Sequence, residues 1–181
     1  MINSLLQQRI YTDILLSAKL IHIQNQIILY IFVYKLRHFF YSILFYQMPI
    51  LRIEHIGIAV SSARPSIELF TALLGSAPYK TETVETEGVK TIFFEVGGTK
   101  IELLEATHTD SPVAKFLAKK GEGIHHIALE VDSLEQEIER LQTLGFALIN
   151  ATPKTGADNK RIAFLHPKHT GGVLIELCQT I

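Results

Sequence analysis

Two stretches of the 181-residue chain decide its fold: EHIGIAV at residues 54–60 and HHIALEV at residues 125–131. Both are apolar and rich in β-branched residues, so each reads as a strand. Each is followed by a helical pattern that a glycine closes. After the first, Pro65 to Leu74 places Ile67, Phe70, Leu73 and Leu74 at helical spacing and stops at Gly75. After the second, Asp132 and Glu135 read as a capping box, Ile138, Leu141 and Leu144 form the apolar stripe, and Gly145 ends it. The correspondence continues downstream, where IELLE at 101–105 matches IELCQ at 175–179. The offsets are 71 residues for the first pair and 74 for the second. A repeat of this kind sets the architecture before any single element does.

Working outward, Tyr79 to Glu87 alternates as a polar-rich strand, and Val89 to Val96 and Thr99 to Glu105 are strands joined by Gly97-Gly98, a hairpin signal. Ser111-Pro112 opens a helix running to about Lys119, with Ser as its cap and Pro at the first position. In the second half, Phe146 to Asn150 and Arg161 to Leu165 read as short strands around a loop at 151–160, and Val173 to Gln179 is the last strand. The expected class is α+β: two tandem βαβββ modules, about 51–120 and 121–181, pairing their sheets around a metal-containing cleft. Neither module can bury its apolar face without the other.

Composition narrows the function classes. There are 17 Lys+Arg against 18 Asp+Glu, a net charge of -1, so no cationic face for nucleic acid is expected. One cysteine excludes both a disulfide scaffold and a Cys-rich zinc site, which leaves imidazole and carboxylate for any metal. The near-neutral average hides two unlike parts. Residues 1–47 hold one acid, Asp13, and four bases, giving +3, while the segment from Met48 onward carries -4. The first part has apolar runs at Ile27 to Tyr34 and Phe39 to Tyr46, broken by Lys35, Arg37 and His38. It lacks the long uninterrupted stretch of a bilayer span and the layout of a secretory signal. Residues 1–47 are therefore expected to be an apolar, basic extension outside the fold, with 48–181 as the domain and no membrane as the expected partner. The alternatives are an interfacial amphipathic helix, a targeting presequence, or an added helix packing on the domain.

The repeat also pairs polar residues. His55 and His126 hold equivalent positions, each just before an Ile, and Glu102 and Glu176 are each flanked by Ile and Leu. A lone Glu so placed ordinarily faces solvent, but a pseudo-two-fold axis brings both pairs to one cleft. Two imidazoles and two carboxylates suit a divalent ion such as Zn, Co, Ni, Mn or Fe, with room for substrate oxygens. His125 is expected to face the other way, by strand alternation. Glu85 and Glu87 fall on one face of the second strand, where one of them could act as a base. Lys168, in a turn near Gly171-Gly172, could reach an anionic group, and Cys178 reads as core filling.

These residues lie in motifs that resemble the methylmalonyl-CoA epimerase family of the vicinal-oxygen-chelate (glyoxalase-like) superfamily. The motifs are EHIGIAV, GGTKIELLEAT followed by DSPVAKFL, GEGIHHIALEVD and IAFLHPKHTGGVLIEL, spanning Leu51 to Ile181. The resemblance implies the glyoxalase fold and metal ligands at His55, Glu102, His126 and Glu176. It implies interconversion of (R)- and (S)-methylmalonyl-CoA through metal-stabilised enolate formation at C2, with Glu176 as one catalytic group. The family's second-strand base lies in a stretch similar to Glu85-Thr86-Glu87-Gly88-Val89; a gapless match puts Thr86 at its position, with Glu85 and Glu87 on either side. Lys168 and the helix start at Ser111 are the expected contacts for the CoA moiety. Cobalt is the expected ion, with zinc, nickel and manganese as alternatives. A homodimer is implied, in the cytoplasm or, in a eukaryote, the mitochondrial matrix. The alternatives are a glyoxalase-like isomerase or lyase on the same metal cradle, and a metal-free small-molecule binding protein.

Overall fold

The computed structural model describes Leu16 and residues 26–37, 50–150 and 152–181. The chain divides into two units, Met1–Gln47 and Met48–Ile181. In the first, residues 26–37 are helical with exposed side chains; the apolar run from Phe39 to Tyr46 lies outside the described residues. No helix among the described residues is long and apolar enough to cross a membrane.

The second unit follows the repeat. Its first module is β1 (Ile50–Val60), α1 (Ala63–Leu74), β2 (Lys80–Val84), β3 (Val89–Val96) and β4 (Thr99–Ala106). Helix α2 (Pro112–Lys120) connects it to β5 (Gly123–Val131), α3 (Leu134–Thr143), β6 (Lys154–Thr155), β7 (Lys160–Leu165) and β8 (Ile175–Thr180). All strands join one eight-stranded sheet in the order β2-β3-β4-β1-β5-β8-β7-β6. In each module the first strand runs parallel to the last, β1 with β4 and β5 with β8. The modules meet where β1 and β5 pair antiparallel around Ile56 and Ile127, which sets His55 opposite Ala128 and Gly57 opposite His126.

Helices α1 and α3 bury one face of the sheet. Under α1, Ala63 packs with Val60, Ile92, Phe94 and Leu103, while Ile67, Phe70 and Leu74 close over them. Under α3, Leu134, Ile138 and Leu141 pack with Val131, Ala163, Leu165 and Leu177. Each large apolar side chain fully withdrawn from water in this way contributes about 1.5–3 kcal/mol. Strand alternation then fixes what looks inward. On β4, Leu103 faces α1, so Glu102 and Leu104 face the opposite side; on β8, Leu177 faces α3, so Glu176 and Cys178 do. The sheet curls about that inner face, and the β6–β7 region reaches the far edge: Lys154 pairs with Glu87 at 2.5 Å, and Asp158 with Lys80 at 3.0 Å.

Four local expectations change. The second strand stops at Val84, and Glu85–Glu87 form a 3-10 turn closed by Gly88 in the left-handed region (φ 60). The α3 cap is Ser133, whose Oγ accepts from Gln136 N at 3.4 Å, in place of an Asp132–Glu135 box; Glu135 pairs with Arg161 instead. The stretch Phe146 to Asn150 makes only the isolated bridge Leu148–Leu165, because Ile149 and Asn150 turn in to line the cleft. The 151–160 loop instead contains the two-residue strand β6. The Ser111 cap of α2 forms as read, accepting from Ala114 N at 3.1 Å, and both hairpin glycines adopt positive φ.

Candidate active site

His55 and His126 come from the two central strands and point to one spot on the inner face. Their Nε2 atoms lie 2.8 Å apart. Glu102 Oε2 sits 3.1 Å from His55 Nε2 and 3.5 Å from His126 Nε2, and the Glu176 carboxylate lies 3.8 Å from each. All four residues are buried, each no more than 6% exposed. The candidate donor atoms of His55, His126 and Glu176 lie within 4.8 Å of one another, and Glu102 stands closer to both imidazoles than Glu176 does. The structure thus brings together the four residues that the repeat paired.

One backbone feature makes the convergence possible. A Cβ at Gly57 would stand 2.4 Å from His126 Cε1 and 2.6 Å from its Nδ1. The imidazole therefore lies directly over the β1 backbone, in space that only glycine leaves free.

The donor set fits a divalent cation. Among the described residues, Glu102 and Glu176 make ion pairs only with the two histidines. Nitrogen and oxygen ligands about 2.1 Å from a first-row divalent ion stand about 3 to 3.4 Å apart, close to the spacing seen here. The titration of the residues themselves carries the same message. Burial works to lower the His55 pKa, yet the charges of Glu102, Glu54 and Glu176 outweigh it and raise it to about 10. Burial also opposes ionisation of Glu102, but the two histidines pull it down to about 2. Glu176 shifts upward, because burial and the negative charge of Glu102 overcome the histidines. The cluster favours positive charge at its centre, which a divalent ion supplies without protonating a ligand.

The cluster forms one end of a cleft of about 170 Å³. Glu102, His126 and Glu176 line it together with Thr91, Leu104, Val113 and Phe164. Of the two acids expected on β2, Glu87 lines the cleft, held by Lys154, which also lies over the Phe164 ring at 5.6 Å. Glu85 is exposed and lines nothing. The reason is the 3-10 turn, which removes the shared strand face that alternation assumed. Lys168 is exposed in a second 3-10 turn (Pro167–His169) and is not among the cleft residues. Ser111 is buried with its hydroxyl engaged as the α2 cap, while Pro112 and Val113 beside it line the cleft.

Two residues that pattern reasoning misplaced or passed over stand beside the ligands. His125 does not face away: it lines the cleft, and its Nδ1 is 3.0 Å from His126 Nδ1. The β1–β5 register passes from Gly57–His126 to Ile58–Ile124, so a bulge at His125 breaks the alternation. Burial and the neighbouring His126 lower the His125 pKa to about 4. Glu54, 1% exposed, contacts His55 Nδ1 at 2.6 Å and pairs with Lys100 and Lys160. Its only sequence signal is a charge inside an otherwise apolar strand.

A family model described as the Glyoxalase/Bleomycin resistance protein/Dioxygenase superfamily matches residues 54–164. The class is thus that of paired βαβββ modules enclosing a cleft between them. The mitochondrial methylmalonyl-CoA epimerase of Dictyostelium discoideum is 38% identical over 127 residues, which is 70% of this chain and 76% of that protein. The crystal structure of methylmalonyl-CoA epimerase from Mycobacterium tuberculosis superposes with a TM-score of 0.72 at 34% identity, covering 75% of this chain and 91% of the other. A methylmalonyl-CoA epimerase in complex with methylmalonyl-CoA and NH4+ superposes with a TM-score of 0.70 at 36% identity, covering 72% and 95%. This chain belongs to the methylmalonyl-CoA epimerase family of that superfamily.

Proposed function

We propose that the protein interconverts (R)- and (S)-methylmalonyl-CoA by moving the C2 proton from one face of the substrate to the other. The observation that carries the reading is the convergence of His55, Glu102, His126 and Glu176, the last three lining the cleft, in a chain of this family. When bound, a divalent ion would supply Lewis acidity for the charge that develops as the C2 proton leaves. The remaining work falls to the chain. His55, His126 and Glu102 would hold the ion, while Glu176, a ligand as well, would exchange a proton on the near face of C2. Glu87 serves the opposite face, since epimerisation needs two proton-transfer groups flanking the carbon. Lys154 fixes the Glu87 carboxylate at 2.5 Å. Val113, Leu104 and Phe164 exclude water from the reacting carbon. The CoA moiety leaves past the N-terminus of α2 at Ser111, and Lys168 meets its anionic groups outside the cleft.

The same reading makes residues 48–181 the catalytic domain, cobalt the native ion and a homodimer the assembly. It places the enzyme in the cytoplasm, or in the mitochondrial matrix of a eukaryote. Metal analysis and sedimentation of the purified protein test the ion and the assembly. The decisive experiment is exchange of the C2 proton of methylmalonyl-CoA with solvent deuterium. The metal-loaded protein is expected to catalyse it and His126→Ala to lose it; no exchange by the loaded wild type would refute the proposal.

A further inference from the structure

We propose that Glu54 is a positioning residue for the metal centre, holding His55 as an Nε2 donor. The inference rests on the reading of His55, Glu102, His126 and Glu176 as metal ligands. Its starting point is a feature of the backbone. Besides passing over Leu51 near its start, the β1–β5 ladder leaves out a residue at two places beside the histidines: Glu54, between Ile53–Leu129 and His55–Ala128, and His125, between Gly57–His126 and Ile58–Ile124. A bulge re-aims the side chain that a regular strand would send to the other face. At both places the re-aimed side chain belongs to the residue just before a ligand histidine, and it reaches that histidine's Nδ1. Glu54 Oε2 lies 2.6 Å from His55 Nδ1, and His125 Nδ1 lies 3.0 Å from His126 Nδ1. The repeat therefore extends beyond the ligands to the groups that aim them.

For His55 the hydrogen-bond chemistry determines the tautomer. An ionised carboxylate only accepts, so Nδ1 carries the proton and Nε2 presents its lone pair to the cluster. Glu54 is itself fixed, because Lys100 and Lys160 both engage its Oε1 and leave Oε2 for the imidazole. His126 has an imidazole as its outer partner where His55 has a carboxylate. The two imidazoles are thus held by unlike partners.

The test is the zinc affinity of the full chain, stripped of metal and titrated against a chromophoric chelator, for wild type and Glu54→Gln. Glutamine keeps the size and an accepting oxygen but loses the charge. The variant is expected to remain folded by circular dichroism and to bind zinc about 10- to 100-fold more weakly. A purely structural Glu54 would lower the melting temperature of the metal-free protein and leave the zinc affinity at the wild-type value, which would overturn the proposal. Failure of the wild type itself to take up zinc would overturn the ligand reading and this inference together. Should Glu54→Gln fail to fold, long-range 1H–15N spectra of the zinc-loaded wild type decide. A proton on Nδ1 of His55 supports the role, and a proton on Nε2 overturns it.

Discussion

Glu85 and Glu87 are two residues apart and end in different surroundings, because the backbone between them winds into a 3-10 turn that Gly88 closes. Glu87 turns into the cleft and Glu85 into solvent. If Glu87 carries the second proton transfer, Glu87→Gln should lower kcat about 100-fold or more, in line with the loss of a positioned acid–base group. Glu85→Gln should leave it unchanged. Steady-state kinetics on both variants check this, and equal rates for Glu87→Gln and wild type would remove Glu87 from the mechanism. The four clustered residues, His55, Glu102, His126 and Glu176, were legible at this scale because each has an equivalent in the other repeat. Glu54 and His125 were not, because strand alternation carries no information about where a bulge falls. Gly57 was equally hidden: its role is to leave room for an imidazole 69 positions downstream, a contact that exists only after β1 and β5 pair.

Among the elements, the turn between β6 and β7 does what no periodic pattern announces. Asp158 and Asn159 both adopt positive φ, 51° and 58°, in a region that these two residue types tolerate better than most. The turn carries the Asp158 carboxylate to the first module, where Lys100, Lys80 at 3.0 Å and the Tyr79 hydroxyl at 3.0 Å meet it. Its backbone N–H donates to Glu82 Oε2 at 3.1 Å. Burial alone would raise the Asp158 pKa, but the lysines outweigh it and hold it below the ordinary value. A carboxylate whose folded pKa is depressed stabilises the fold above its unfolded pKa, about 3.9, and loses that contribution as pH falls through the folded value. Urea midpoints measured from pH 6 downward, a range chosen to span about 3.9, should fall more steeply for wild type than for Asp158→Asn. Parallel curves would mean that the turn contributes nothing to closing the sheet.

For the whole molecule, the charge asymmetry and the division of the chain coincide. The boundary between the units falls at Gln47–Met48, where the composition passes from +3 to -4. The paired modules from Met48 onward contain the cluster of His55, Glu102, His126 and Glu176, the cleft, and the core clusters under α1 and α3. A chain begun at Met48 should fold and epimerise methylmalonyl-CoA with the kcat/KM of the full chain. Circular dichroism and the deuterium-exchange assay check it, and an inactive or unfolded product would make residues 1–47 part of the functional protein.

The two-module architecture, most of its strands and helices, and the two paired histidines and glutamates could be read along the chain. The end of β2, the short β6 and the failed strand at Phe146 to Asn150 could not. What could be read was written there as local periodicity and an internal repeat. Which neighbours serve the four paired residues depends on how the strands pair. The bulges that turn Glu54 and His125 onto the ligand imidazoles arise when β1 and β5 come into register. The pairing of Glu87 with Lys154 arises when the sheet curls far enough to bring its two ends together. Both depend on contacts between segments that the sequence separates by tens of residues.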